Sequence, residues 1–318
     1  MKITERIDNI TGLTDEYRHE ILPAPKSVKI ELTGRCNFRC TFCAHNTNLR
    51  KTEDMDRDLF RRLLTEMRHA GVEEIGLFYL GESFLCDWLP EAITYAKQTC
   101  KFPYVFLTTN GSMSTPDKVR QCIENGLDSL KFSLNYADEE QFAEIANVKP
   151  ALFQKMKENI RWAKKVRDEV EAKTGKHCTL SGSYIRYDDD QMEKMNETLD
   201  ELRPYLDEVY PLPLYNQADL VGGDATDKGW EVTAGNRGRW DALRDPLPCW
   251  AVFTEGHITY DGKLSACCFD HDGRFNMGDL TQRNFMSAWN SQKFQELRRA
   301  HLAEDVTGTP CEDCVAYA

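Results

Sequence analysis

Apolar and polar side chains alternate along residues 27–33 (SVKIELT) up to Gly34, which predicts a strand feeding a loop. A helical period follows. Leu59, Phe60, Leu63, Leu64 and Met67 share one face of a helix from about Asp56 to Ala70, with Asp54 or Asp56 as N-cap and Gly71 as stop signal. The two patterns then take turns. Strands are predicted at 74–80, 104–108, 129–135, 178–185 and 208–214, and helices near 88–100, 116–125, 138–146, 151–173 and 190–203. Six strands alternating with helices imply parallel βα units in an α/β fold, closed as a full or partial barrel. Residues 216–248 break the pattern with Gly222, Gly223, Gly229, Gly235 and Gly238, and read as a long connection or lid next to a domain boundary. Beyond it, 251–269 predicts a β-hairpin turning at Asp261-Gly262, and 285–300 a single amphipathic helix.

Composition narrows the class. A chain of 318 residues with 41% hydrophobic content can build one large domain and a smaller module. The start, MKITERIDNI, lacks an apolar signal segment, and no apolar run approaches the roughly 18 residues needed to span a bilayer. A cytoplasmic protein with no membrane partner is expected. The net charge of −12 argues against a sequence-independent grip on a nucleic-acid polymer, which needs Lys and Arg to displace counterions, and suits a small polar or cationic substrate. Twelve cysteines in such a chain read as metal ligands and reduced thiols rather than as a disulfide framework.

Cys36, Cys40 and Cys43 form the run CNFRCTFC at the end of the first predicted strand, where barrels place their chemistry. Three thiolates leave one iron of a four-iron, four-sulfur cluster open. A zinc knuckle or three unrelated buried thiols are the alternatives. This C-x3-C-x2-C loop, with Phe42 before its last cysteine, resembles the signature of the radical S-adenosylmethionine (SAM) superfamily. The resemblance implies a partial (β/α)6 TIM-like barrel in which the open iron chelates the amino and carboxylate groups of SAM. One electron, from a flavodoxin or ferredoxin-type donor, then yields a 5′-deoxyadenosyl radical that abstracts a substrate hydrogen. Three later segments match the family's SAM-binding pattern. Leu80-Gly81-Glu82-Ser83 stands where the family carries Gly-Gly-Glu, and points to Gly81 and Glu82 as contacts to the methionyl end. Thr109 and Asn110 of TTNG, and Ser133 and Asn135 of SLN, stand where the family places polar groups near the ribose and carboxylate. Taken alone, TTNG is a turn and SLN a strand end.

Cys249, Cys267, Cys311 and Cys314 form a second set, in which Gly262 at the expected hairpin turn brings distant thiols together and Cys311-x2-Cys314 adds a chelating pair. Four thiolates close a shell. The set resembles the twitch module, a shortened SPASM domain seen in aminocyclitol dehydrogenases and aminoglycoside epimerases. It implies one auxiliary four-iron, four-sulfur cluster beside the SAM-binding one. A four-cysteine zinc site is the alternative. The expected organisation is an N-terminal extension (1–26), a barrel (27–215), the connection or lid (216–248) and the twitch module (249–318). Cys86, Cys100, Cys122 and Cys178 read as small hydrophobes, and His45, His69, His257 and His271 as surface or hydrogen-bonded residues. Tyr187-Asp188-Asp189-Asp190 is either a solvated face or a set of carboxylates for substrate amines and hydroxyls.

Cys268 directly follows Cys267 in a predicted strand, so its thiol is expected to point the opposite way, toward the barrel mouth. There it can return a hydrogen atom to a substrate radical and invert the carbon; if it is only packed, dehydrogenation is the outcome. The expected substrate is a small aminocyclitol, aminosugar, glycoside or amino-acid derivative. The alternatives are maturation of a ribosomal peptide, for which about 26 residues before the first strand are too few to form a leader-binding domain, modification of a nucleoside, or a structural zinc protein.

Overall fold

A pleated strand sends alternate side chains to opposite faces. In a parallel barrel one face meets the helices and the other the interior. That division organises this protein. The structure, a computed structural model, describes residues 1–47, 51–187, 189–217, 220, 232–233, 236–312 and 314. Strands β1 (Ser27–Ile30), β2 (Glu74–Gly76), β3 (Tyr104–Thr109), β4 (Ser129–Ser133), β5 (Thr179–Arg186) and β6 (Glu208–Pro213) lie parallel and in chain order. Val28, Ile30, Ile75, Val105, Leu130 and Leu180 are fully buried in the core, whereas Lys29, Glu74, Tyr104, Lys131, Ser181 and Tyr210 line an interior cavity.

Helices α1 (Ile3–Thr11), α2 (Arg57–Ala70), α3 (Leu89–Thr94), α4 (Pro116–Asn125), α5 (Glu139–Ala146), α6 (Ala151–Thr174) and α7 (Asp189–Leu202) come from the first two-thirds of the chain. Their ends follow the local signals. Asp56, not Asp54, caps α2 by accepting from the amides of Asp58 (3.0 Å) and Leu59 (2.8 Å), and Gly71 ends it at φ 103°. The helix expected over 88–100 is split, since a π-helical turn at Tyr95–Thr99 follows α3. The first two strands are shorter than their alternation suggests. Past Ile30 the chain leaves the ladder, and the amides of Gly34 and Met55 bond across to Glu53 and Leu32.

The C-terminal segment joins the same sheet. A short helix α8 (Ala251–Thr254) stands where the hairpin's first strand was expected to begin. It leads into β7 (Glu255–Ile258), which pairs parallel with the free edge of β1. Strands β8 (Lys263–Ser265) and β9 (Asn276–Asp279) continue antiparallel, so the sheet runs β6-β5-β4-β3-β2-β1-β7-β8-β9. The single helix expected over 285–300 is two, α9 (Phe285–Trp289) and α10 (Gln292–Leu302). They break at Asn290, whose side chain bonds both backbone groups of Leu22, and Ser291 caps α10 through Phe294 N. Of the expected lid at 216–248, residues 218–219, 221–231 and 234–235 lie outside the described residues, and the described part carries a single helical turn at Trp240–Ala242.

The first 26 residues are built into the molecule. Helix α1 covers the N-terminal ends of the strands: the Ile3 amide bonds Glu208 at 2.8 Å, Arg6 pairs with Glu74, and the Arg6 guanidinium lies 3.6 Å from the Tyr104 ring centre. Residues 20–23 are sewn to the C-terminal helices through Arg298. This buried guanidinium sits between Trp289 (4.3 Å) and Phe294 (4.2 Å) and donates to the carbonyls of Val252 (3.1 Å) and Glu20 (2.9 Å) and to Asn290 Oδ1 (3.1 Å). Burial lowers its pKa to about 9. Arg298→Met is expected to cost about 3 kcal/mol of unfolding free energy, since three acceptors lose a charged donor. Urea denaturation of the cluster-loaded protein reads this, with Arg298→Lys recovering only part because an ammonium lacks the planar fork. Equal stability of wild type and Arg298→Met would remove the pinning role.

Candidate active site

The loop leaving β1 carries Cys36, Cys40 and Cys43, and backbone bonds hold its far side: Arg39 N to Ala146 O (3.0 Å) and Thr41 N to Ile145 O (2.8 Å). Phe38 anchors it by packing edge-on against Phe142 at 5.5 Å. The three thiols come together. Burial pushes Cys36 up to about 12, with Glu82 and Cys43 adding to the rise, and burial pushes Cys40 and Cys43 upward too. All twelve cysteines are free thiols. Burial keeps these thiols protonated, and an iron cluster would replace their protons with its own positive charge. The donor set therefore fits a thiolate-bound cluster with an open corner. Sequence reasoning missed Tyr136, whose hydroxyl lies 3.1 Å from Cys40 Sγ and whose ring lies 6.4 Å from Phe42. Its one signal was its place immediately after SLN.

The segments matched to SAM binding meet this loop. A Cβ on Gly81 would fall 2.2 Å from Thr33 O and 2.7 Å from Arg35 O, so only glycine allows this approach to the base of the cysteine loop. The next amide, Glu82 N, bonds Arg35 O at 2.8 Å. The Glu82 carboxylate is committed to protein donors: Thr109 Oγ1 (2.9 Å), Asn110 N (2.8 Å) and Phe84 N (3.0 Å). Burial raises its pKa and these bonds oppose the rise. Its geometry is that of a tie between the ends of β2 and β3 rather than of an open ligand. Asn110 donates to Asn37 Oδ1 at 3.0 Å, reaching into the cysteine loop. Ser133 ends β4. Just beyond it, Asn135 Oδ1 is buried with no hydrogen-bond partner among the described residues, an acceptor free for a donor such as a SAM amine or hydroxyl.

The second set also assembles. Cys249, Cys267, Cys268, Cys311 and Cys314 line a small cavity of about 30 Å³ with Phe275 and Asn236. Cys311 is pushed up by burial and by Cys249 and Cys314. Cys267 is pushed up by a hydrogen bond with Cys268, by burial and by Cys311. This corrects the expected strand geometry of the vicinal pair. Strand β8 stops at Ser265, Cys267 N turns back onto Ser265 Oγ at 3.2 Å, and both side chains line the same chamber instead of pointing apart. Cys268 also accepts from Asn236 Nδ2 at 2.9 Å. His301, unnoticed in the sequence because a helical histidine carries no pattern, joins two of these cysteines. Its Nδ1 accepts from Cys249 N (3.2 Å), which leaves the Nε2 proton for Cys311 Sγ at 3.3 Å. Burial lowers its pKa to about 4, keeping it neutral.

The barrel cavity, about 290 Å³, runs from α1 at its floor to Cys268 and Phe269 of the second thiol set; among the described residues its lining includes Cys268 but none of Cys36, Cys40 and Cys43. Its walls do not share the chain's negative balance. Arg6, Lys29, Lys131 and Arg239 face Glu74 and Glu255. Glu255 accepts from Lys29 Nζ (2.8 Å) and lies 2.9 Å from His257 Nε2. Burial raises its pKa, but these neighbours outweigh burial and hold it at about 2. The lining thus carries more cations than carboxylates, unlike the chain as a whole. Cys86, Cys122 and Cys178 are buried in the apolar core, as expected of small hydrophobes. The carboxylates of Asp188 and Asp189 lie outside the described residues. Among the described residues no helix is long and apolar enough to cross a membrane.

A parallel barrel that presents an open cysteine triad, with a second thiol-lined chamber on its extended edge, defines a class of cluster-bearing enzyme. Residues 30–199 match the radical SAM superfamily, and the chain belongs to that superfamily. Residues 249–315 match the SPASM iron–sulfur cluster-binding domain. SAM and iron–sulfur clusters are accordingly its cofactors. The GTP 3′,8-cyclase of Clostridium perfringens (strain SM101 / Type A) is 30% identical over 139 residues, 43% of this chain and 41% of that protein. The chain thus matches about two-fifths of that relative's length. Streptococcus suis SuiB bound to precursor peptide SuiA aligns with TM-score 0.65 and 14% identity over 94% of this chain and 72% of that one. BtrN in complex with AdoMet and 2-DOIA aligns with TM-score 0.55 and 15% identity over 87% of this chain and 86% of that one. At these identities the two structures show the shared fold.

Gly81→Ala is expected to separate the cysteine loop from the β2 loop. Its iron content should fall from about eight toward about four per chain, the count for one cluster of the two, with the circular dichroism of the barrel retained. Unchanged iron and sulfide after anaerobic reconstitution would contradict this.

Proposed function

We propose that this chain acts on a small polar metabolite in the barrel cavity, removing hydrogen from an unactivated carbon, with Cys268 returning a hydrogen atom so that the carbon is epimerised. The observation that carries the reading is the position of Cys268, which lines both the barrel cavity and the second thiol chamber. In this reading Cys36, Cys40 and Cys43 hold the SAM-binding cluster, and Cys249, Cys267, Cys311 and Cys314 hold the auxiliary one. When bound, SAM and the open-cornered cluster supply the radical that takes the substrate hydrogen. Asn135 Oδ1 and the backbone around Gly81 orient the methionyl and ribose ends, while Glu82 holds the strand-end loops in place. Phe42 lies beside the Cys40–Tyr136 contact and shields the cysteine loop.

Cys268 then breaks its S–H bond as a C–H bond forms on the substrate carbon. The thiyl left behind takes one electron from a flavodoxin or ferredoxin-type donor and one proton from solvent. Asn236 at 2.9 Å orients the sulfur. A cavity of about 290 Å³, floored by α1, favours a compact metabolite over an extended peptide.

Replacing Cys36, Cys40 and Cys43 together by Ala is expected to abolish reductive SAM cleavage, read as 5′-deoxyadenosine released with dithionite. Persistence of wild-type cleavage would refute the cluster assignment. For Cys268, turnover in deuterated water is expected to place solvent deuterium on the inverted carbon, and Cys268→Ala is expected to lose that product while still cleaving SAM. Full formation of the inverted product by Cys268→Ala would rule the donor role out, and an oxidised product without solvent deuterium on that carbon would support dehydrogenation, in which the substrate radical loses a proton and passes its electron to a cluster.

A further inference from the structure

Among the described residues the barrel interior contains one cation that no acid neutralises. Lys131 lies on β4 and lines the cavity. No hydrogen bond or salt bridge joins it to another described residue. The two carboxylates on the same walls are taken: Glu255 by Lys29 at 2.8 Å and His257 at 2.9 Å, and Glu74 by Arg6. Lys29 repels Lys131, and burial further penalises its charge, so its pKa falls to about 8 with Glu255 only partly opposing. An ammonium kept in such surroundings is costly unless something pairs with it.

The strand register supplies the rest of a site. Thr108 on β3, Lys131 on β4 and Ser181 on β5 are direct neighbours across parallel strands, and all three line the cavity. An ammonium is thereby flanked by two hydroxyls at one level of the barrel. Ser181 Oγ is buried without a hydrogen-bond partner, and so is the Trp250 Nε1 donor on the opposite wall. One cation and these donors thus line the same cavity, and among the described residues no hydrogen bond engages Lys131 Nζ, Ser181 Oγ or Trp250 Nε1.

We propose that Lys131, with Ser181 and Thr108 beside it, binds an oxyanion group of the substrate, a carboxylate or a phosphate, inside the barrel. This rests on the reading of the barrel cavity as the substrate chamber. It replaces the cationic substrate suggested by net charge with one that carries an anionic handle, which the chamber's surplus positive charge complements. The handle fixes one end of the molecule in the chamber while the reacting carbon is held nearer the mouth, where Cys268 stands.

The test uses the cluster-loaded, SAM-bound protein with inorganic phosphate, pyrophosphate and malonate as probes, titrated by calorimetry at constant ionic strength against chloride. Wild type is expected to bind at least one probe saturably, phosphates and malonate reporting which oxyanion is preferred. Lys131→Met is expected to weaken that binding at least tenfold, Lys131→Arg to keep it within a few-fold, and Ser181→Ala to weaken it several-fold. The ligand-free Lys131→Met protein is expected to melt at or above the wild-type temperature, because an unpaired buried charge has been removed. No saturable binding beyond chloride in wild type, or unchanged binding in both Lys131→Met and Ser181→Ala, would overturn the proposal. So would a Lys131→Met protein that melts well below wild type, which would make the lysine a structural member. Reductive SAM cleavage without substrate, measured on the same samples, keeps the two readings apart. Cleavage that persists while anion binding fails sinks only the anion site, and wild type that cannot cleave SAM sinks the radical reading itself.

Discussion

The period of two along six parallel strands is the constraint from which the rest of the molecule follows. It sends Val28, Ile75, Val105 and Leu130 outward under the helices, and Lys29, Glu74, Tyr104, Lys131 and Ser181 inward. A parallel sheet buried on both sides is ordinarily apolar on both. A polar inner face instead keeps a chamber open and requires its ends to be managed. Helix α1 manages the floor through Glu208 and Glu74. At the edge, β7 pairs with β1 and carries the second thiol set into the same sheet. The distance between the two thiol sets is thus set by ladder hydrogen bonds and not by a flexible linker.

Within that frame the buried thiols stay protonated until metal arrives. Cys36 rises to about 12 because it is buried beside Glu82 and other thiols, and Cys267 and Cys311 are pushed up in the same way. In the proposed reading a cluster would bind these cysteines as thiolates, so cluster loading and folding of the loops would be linked. Neutral His301, bonded to Cys249 and Cys311, shows how the scaffold prepares for this. A donor hydrogen bond to a ligand sulfur steadies the thiolate form and tunes the potential of the bound cluster.

Charge has to be judged locally. A net balance of −12 describes the chain as a whole, while the barrel interior holds more cations than carboxylates. Solvent screens surface charge within about a Debye length, whereas a chamber lined by Lys29, Lys131 and Arg6 is shielded from the acidic exterior. The same separation explains why Glu82, a carboxylate expected to meet SAM, is spent on holding Thr109 and Asn110.

Local patterns in the chain were enough for the βα alternation, for helices such as 116–125 and for both cysteine sets, because periodicity and ligand spacing are properties of neighbours in sequence. They also marked Gly81, though not why it must be glycine: that comes from Thr33 O and Arg35 O, which approach from the loop after β1. Tertiary structure decided the rest. The pairing of β7 with β1, the roles of Tyr136 and His301, and the row Thr108–Lys131–Ser181 all depend on residues far apart in the chain. The break at Asn290 reflects a partner 268 positions away, at Leu22. That Cys267 and Cys268 line one chamber depends on where β8 stops pairing, which alternation alone does not encode. Periodicity along one strand determines which side chains share a face, but only the register between strands determines which of them meet.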